Sequence, residues 1–193
     1  MVLVIDTSAT RSALALVEAG EPLAEDVREG ERERDLPGRV AALLGAARPT
    51  AVCVSLGPGS FTGLRVGVSF GVGLAFALGT PLLGLGSLEL QAARARGPAT
   101  AVVEAGRGRV YWAAPGGRPR HGDPEDLPRE HPVVGWLRPS TVERLRTIGL
   151  RSLDEREVDG FAVAAARLLG RARRLGYDTV ELEYMQSVGS ARV

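Results

Sequence analysis

The chain has 193 residues, 24 basic and 23 acidic side chains, and a formal net charge of +1. This length suits one large domain or two small lobes with a real core, and the near-neutral total means that bulk electrostatics recruits neither nucleic acid nor an anionic membrane. The sequence contains neither Lys nor Asn, which excludes a Schiff-base lysine, the lysine of a Walker-type phosphate loop and N-glycosylation.

The cysteine and apolar content place the chain in a reducing, aqueous compartment. Cys53 is the single cysteine, so a disulfide framework is excluded and a small core residue is expected there. No basic region precedes the first apolar run, as a signal peptide would require. The longest apolar segment, residues 66–78, is shorter than the roughly 20 residues that span a bilayer. We expect a cytoplasmic protein without a membrane partner.

The first half of the chain predicts three strands followed by alternating helices and strands. Apolar runs, turn residues and helical periodicity define these elements. In chain order they are strands over 2–5, 13–17 and 22–27, a helix over 36–47 capped by Asp35, a strand over 51–56, a glycine-rich helix over 64–79, a strand over 82–85 and a helix from Ser87. The first two strands form a hairpin, the third lies near an edge, and the order predicts a mixed sheet with helices on it.

The second half opens like the first. Strands over 99–104 and 109–114 form a second hairpin, in which Glu104 occupies the place that Asp6 has in the first hairpin, so we predict a weak internal repeat. The remaining predicted elements are a loop over 115–132, a short strand over 133–137, a helical turn from Ser140, a helix capped by Asp159 that runs to Arg174, and an extended tail over 180–184.

The glycine-rich helix and the loop before it leave two alternatives open. The loop over 57–60 either cradles a phosphate or only starts the helix, with Ser60 or Thr62 as its cap. The helix is apolar nearly all round, so it must be covered on every side. Gly67, Gly71 and Ala75 form a small-residue face that predicts close packing, either against a partner protein or against the chain's own sheet.

Two carboxylates at strand ends are the candidates for chemistry. Asp6 either holds a metal-bound water beside nucleotide phosphates or caps its own turn, and Glu104 either plays the matching role or pairs with Arg107 and Arg109. His121 and the other histidine, ten residues on, lack metal-ligand spacing, and no G-x-S-x-G elbow is present. We therefore expect neither a metal site nor a hydrolase triad.

Three motifs carry a family resemblance. Residues 4–8, 57–67 and 108–113 resemble those of the TsaB family, bacterial proteins needed to make threonylcarbamoyladenosine in tRNA. The resemblance implies an α/β fold with two lobes, as in actin, Hsp70 and the sugar kinases, with mixed sheets flanked by helices and a reduced second lobe. It implies an N-terminal lobe over 1–97 and a smaller C-terminal lobe over 98–193, whose last helix packs back on the first lobe.

The resemblance also implies a function. A TsaB-like chain is a non-catalytic scaffold that pairs with the transferase TsaD and the ATPase TsaE, meets tRNA through that complex, leaves ATP, ADP and Mg²⁺ to its partners, and forms a homodimer when isolated. The alternative is a small actin-like ATPase or a glycoprotease-like hydrolase. The predicted partner interface comprises Leu43, Phe61, Leu64, Arg65, Gly67, Val68, Gly71, Val72 and Ala75. The predicted vestigial nucleotide contacts are Asp6, Thr7, Ser8 and Glu104.

Overall fold

The computed structural model describes residues 1–29 and 35–182. The strands are β1 Val2–Asp6, β2 Arg11–Glu18, β3 Glu21–Glu29, β4 Ala51–Ser55, β5 Leu82–Leu85, β6 Thr100–Gly106, β7 Arg109–Ala113, β8 Arg120–Gly122, β9 Val133–Val134 and β10 Arg173–Leu175. The helices are α1 Leu36–Leu44, α2 Phe61–Leu78, α3 Ser87–Ala92, α4 Pro139–Thr147 and α5 Phe161–Leu168.

Two mixed sheets share one strand pattern. The first has the order β10-β5-β4-β1-β2-β3, with β1 antiparallel to β2 and parallel to β4. The second has the order β8-β7-β6-β9, with β6 antiparallel to β7 and parallel to β9. A hairpin followed by a parallel neighbour therefore occurs in both sheets. The α/β fold class and the internal repeat are confirmed, and the second sheet is the smaller one.

Helices cover both faces of the first sheet because its strands are apolar on both sides. On one face, Leu3, Ile5 and Val54 pack with residues of α1 and α2. On the other face, Val4 and Cys53 belong to a second apolar cluster with residues of α3, α5 and the second sheet. A third cluster lies between the second sheet and α4. Strands buried on both sides read as continuous apolar runs, as residues 2–5 and 51–54 do.

The second half of the chain departs from the prediction in several places. The predicted helix over 159–174 ends as an α-helix at Leu168, and Arg173–Leu175 instead forms β10, which pairs antiparallel with β5 at the edge of the first sheet. The predicted loop over 115–132 contains β8, which pairs with β7. Of the predicted extended tail over 180–184, residues 183 and 184 lie outside the described residues, and 180–182 form no regular element.

The N-terminus of α5 is capped by a residue distant in sequence. Glu25 of β3 accepts a hydrogen bond through Oε2 from the backbone N–H of Ala162 at 2.7 Å. Asp159, the predicted cap, instead binds Arg96 at 2.9 Å and Arg167 at 2.6 Å. The first-turn N–H groups of a helix need an acceptor, and a carboxylate there also interacts favourably with the helix dipole. This contact attaches the last helix to the edge strand of the first sheet.

Candidate functional site

The junction between β4 and α2 starts the helix and lies directly against the turn after β1. The Ser60 hydroxyl accepts a hydrogen bond from the N–H of Gly63 at 3.2 Å, so Ser60 is the cap of α2. The N–H of Ser60 donates to the Ser8 carbonyl at 2.8 Å. A Cβ on Gly59 would meet that same carbonyl oxygen at 2.4 Å, so only glycine allows this approach. Gly59 and Ser60 are thus held against the backbone of the turn after β1.

The small-residue face of α2 packs on the chain's own sheet. A Cβ at Gly67 would meet Thr7 Oγ1 at 2.1 Å, and one at Gly71 would meet Val54 Cγ1 at 2.2 Å. The Thr7 hydroxyl donates to the Gly63 carbonyl at 2.6 Å, which ties β1 to the first turn of α2. Of the two alternatives for this face, packing against the protein itself is the one that the structure contains.

This packing corrects part of the predicted partner interface. Five of its residues are buried within the chain and cannot reach a partner: Leu64, Gly67, Val68, Gly71 and Ala75. Phe61, Arg65 and Val72 remain accessible on the other side of α2, and Leu43 is half-buried on α1. The sequence could not tell which face of this helix the sheet occupies, because nearly every residue of the helix is apolar.

The exposed side of α2 is unusually apolar, and we call it the outer face, comprising Phe61, Arg65, Ser69, Val72, Gly73 and Phe76. Phe61 is 53% exposed and Phe76 is 69% exposed. The Arg65 guanidinium lies over the Phe61 ring at 3.8 Å from its centroid. Gly73 has no atom within 4 Å of an added Cβ, so a side chain there would project into solvent. Large exposed apolar side chains on one helix face are common at interaction sites.

The helix Phe61–Leu78 is also long and apolar enough to cross a membrane by length and composition, with a mean hydropathy of 1.6. Among the described residues it is the one such helix, and 33% of it is buried. Its glycine face is fixed on β1 and β4 by the contacts of Gly67 and Gly71, so we interpret it as a core helix of the first sheet.

The two hairpin turns face each other across a cavity of about 230 Å³, which we call the hairpin cleft. Its walls include Ser8 and Thr10 from the first hairpin, Glu104 and Gly106 from the second, and Arg138. Thr10 donates to the Trp136 carbonyl at 2.8 Å and thereby connects the two halves of the chain. The repeated topology thus brings the predicted carboxylate regions together.

Asp6 is fully buried beneath this cleft. Its Oδ1 accepts a hydrogen bond from the backbone N–H of Ser8 at 2.9 Å, which is the turn-capping arrangement. Its Oδ2 and the Ser8 hydroxyl have no partner within the described part of the chain. Burial raises the pKa of the Asp6 carboxyl above its ordinary value. The Ser8 and Ser55 side chains near the carboxyl partly offset this effect of burial on the pKa, and Asp6 acts as a turn cap.

Glu104 has a partner that the sequence did not indicate. Its Oε1 accepts from the backbone N–H of Arg138 at 3.0 Å, and the Arg138 Nε lies 3.8 Å from Oε2. The expected pairing with Arg107 and Arg109 is not the observed one for this carboxylate. Arg138 comes from the segment just before α4, some 34 residues away, and no local pattern reports such a contact. Glu104 of the second sheet is thus held by the segment just before α4.

The remaining polar candidates form no reactive group. Within residues 1–29 and 35–182, no set of three or more His, Cys, Asp or Glu side chains could hold a metal ion. His121 stacks on Tyr111 with ring centroids 4.9 Å apart, and burial lowers the pKa of this imidazole. Cys53 is buried, and burial raises the pKa of its thiol.

Parts of the chain are similar to proteins that are named for tRNA modification. Residues 41–123 match the family model described as TsaD, tRNA N6-adenosine threonylcarbamoyltransferase. An uncharacterized protein of Mycobacterium tuberculosis is 40% identical over 102 residues, which are 51% of this chain and 48% of that protein. The tRNA threonylcarbamoyladenosine biosynthesis protein TsaB of Bacillus subtilis is 32% identical over 120 residues, which are 57% of this chain and 52% of that protein.

The fold is similar to that of a solved structure, YeaZ from Pseudomonas aeruginosa. The TM-score is 0.74 at 22% sequence identity, with 95% of this chain and 99% of that chain covered. The chain spans about half the length of the curated relatives that it matches.

Proposed function

Because part of the chain is similar to TsaB of Bacillus subtilis, we propose that it is a TsaB-type protein that acts in threonylcarbamoyladenosine biosynthesis as a non-catalytic subunit. In this proposal it pairs with a TsaD-type transferase, a TsaE-type ATPase joins the pair, and tRNA is modified by the assembled complex in the cytoplasm. Nucleotide and Mg²⁺ are bound by the partners.

The outer face of α2 is the observation that carries this proposal. Two exposed phenylalanines and the half-buried Val72 lie on one helix of the first lobe, next to α1 on the same side of the sheet. Aromatic side chains with an arginine between them are the composition of interface anchors. A TsaD-type partner fits because the family model that matches residues 41–123 is that of TsaD, so the two proteins share this helix and can pair through like surfaces.

The test uses a residue that changes the surface without changing the core. Gly73→Glu places a carboxylate in the centre of the outer face, where no atom lies within 4 Å of the new Cβ. Burying that unpaired charge against a partner costs several kcal/mol, so we expect binding to a TsaD-type partner to weaken by at least about tenfold in calorimetry. Threonylcarbamoyladenosine formation by the reconstituted proteins should fall in parallel.

The matched control is Gly170→Glu, an exposed glycine that also has no atom within 4 Å of an added Cβ and lies beyond α5. It makes the same charge change away from the outer face and should bind the transferase normally. Equal binding by wild type and both variants, with all three folded by circular dichroism, would refute the outer face as the contact. Failure of the wild-type chain to pair with any TsaD-type partner would refute the proposed function itself.

A nucleotide-binding enzyme is the second candidate, and the hairpin cleft is the observation in its favour. Asp6 Oδ2 and the Ser8 hydroxyl are buried polar atoms without a described partner beside a cavity of about 230 Å³. Calorimetric titration of the isolated chain with ATP and Mg²⁺ tests this candidate. Binding that is abolished by Asp6→Ala, together with turnover, would favour the enzyme over the scaffold.

A further inference from the structure

A second groove, separate from the hairpin cleft and from the outer face, lies between the first sheet and the loop after β7. It encloses about 370 Å³. One wall is the end of β5 with the start of α3, and the other is the segment 113–117 with Pro119. Arg171 and Arg173 line it from the segment that follows α5. We call it the arginine groove.

The charge around the arginine groove differs sharply from that of the whole chain. The two segments that flank it, residues 113–122 and 168–177, contain five arginines and no carboxylate, whereas the complete chain carries a net charge of only +1. Those arginines, all exposed, are Arg118, Arg120, Arg171, Arg173 and Arg174; Arg171 and Arg173 line the groove itself, and the other three are their neighbours in sequence or lie in the other flanking segment. The one carboxylate that lines the groove, Glu89, accepts a hydrogen bond from the N–H of Gly86 at 3.0 Å. A concentrated basic rim of this kind is an electrostatic footprint for a polyanion.

The walls of the groove suit a flat, unpaired base. They are built largely from glycine, alanine and proline, among them Pro58, Gly84 and Gly116, so backbone and small apolar groups form the lining surface. A base can approach such a wall closely while its phosphates lie against the guanidinium groups at the rim. Arginine is the side chain best suited to this combination, because its planar fork binds phosphate and stacks on bases.

We propose that the arginine groove binds the sugar–phosphate backbone of tRNA at an unpaired nucleotide, giving this subunit a direct RNA contact. The inference rests on the proposed function, which supplies tRNA as the polymer. β10 belongs to the first sheet, and the segment 113–117 begins at the end of β7 in the second sheet. RNA in the groove therefore bridges the two sheets. The outer face of α2 stays free for the protein partner.

The test measures fluorescence anisotropy of a labelled, unmodified transcript of a tRNA that reads a codon beginning with A. The variant Arg118→Gln/Arg171→Gln removes one guanidinium from each flanking segment: Arg171 lines the groove, and Arg118 lies between two residues that line it, Gly117 and Pro119. If both contact phosphate, the slope of log Kd against log salt falls by about 1.4, and affinity at 0.1 M salt falls about 20-fold relative to wild type. The matched control is Arg48→Gln/Arg156→Gln, which removes the same charge at two exposed arginines elsewhere.

Each outcome decides the matter. A loss of RNA affinity that is confined to the groove variant, in the isolated chain and in its complex with a TsaD-type partner, supports the inference. Equal loss in the groove and control variants shows that only total charge matters, and overturns it. No RNA binding by the wild-type chain in either setting also overturns it. Normal pairing with the transferase in these last two cases leaves the proposed function standing, so the two failures are distinguishable.

Discussion

Two glycines in α2, two residues apart, should respond in opposite ways to the same substitution. At Gly73 an added methyl meets no atom within 4 Å, so Gly73→Ala gains the helix propensity of alanine and should stabilise the protein by about 1 kcal/mol. At Gly71 the methyl would sit 2.2 Å from Val54 Cγ1. Valine is stiff at χ1, so it cannot turn aside, and overpacking of this kind typically costs about 1–3 kcal/mol.

The assay is urea unfolding followed by circular dichroism. Subtracting the propensity gain from the overpacking cost leaves Gly71→Ala destabilised by up to about 2 kcal/mol, which corresponds to a Tm about 4–8 °C lower for a chain of this size. Val54→Ala should make room for the methyl, so the double variant Gly71→Ala/Val54→Ala should be more stable than the sum of the single changes predicts. If Gly71→Ala were as stabilising as Gly73→Ala, the sheet would not lie on the Gly71 side of α2.

Three further predictions concern single side chains. Glu25→Ala should lower the free energy of unfolding by about 1 kcal/mol in the same assay, because it leaves the N–H of Ala162 without its acceptor. Glu25→Gln keeps an acceptor oxygen and should retain most of the wild-type stability; equal losses in both variants would refute the capping role. Asp6→Asn should stabilise the protein more at pH 7 than at pH 4. Burial disfavours the carboxylate, so the contribution of Asp6 to the free energy of unfolding becomes less favourable as the pH rises from 3.8 through the raised pKa. Thermal unfolding at both pH values checks this, and a gain in stability independent of pH would contradict it. Cys53 should resist iodoacetamide in the folded protein at pH 8 and react in urea, since its thiol is buried and its pKa raised; rapid labelling of the native chain, followed by mass spectrometry, would show otherwise.

Local signals predicted the first half of the chain well. Asp35 caps α1 as predicted, and Ser60, one of the two residues predicted as the cap of α2, is the cap; both act on an N–H only three residues away. Each hairpin was predicted from two apolar runs, the first of which ends in an acidic residue, and both hairpins form. These features depend on neighbours in sequence, so residue type and spacing suffice to identify them.

The contacts that the sequence did not reveal are those between distant segments. Arg173 and Arg174 read as the basic end of a helix, yet their segment completes an edge of the first sheet by pairing with β5. Glu104 and Arg138 meet across 34 residues, and Glu25 and Ala162 across 137. The sequence also could not show which side of α2 faces outward, because Phe70 and Gly71 differ in burial but are both nonpolar. Which apolar side faces the sheet is decided by the fit of Val54 and Thr7 against glycine.

The position of β10 has a consequence for how the chain is made. The edge of β5 is paired by Arg173–Leu175, so the first sheet, most of which is formed from residues 2–85, is not complete until about 90 residues later in synthesis. A nascent chain that has released only its first half exposes an unpaired apolar strand, and such an edge recruits other strands. Ribosome-bound chains arrested before residue 173 should therefore engage chaperones. The chaperones should be released when β10 emerges from the ribosome.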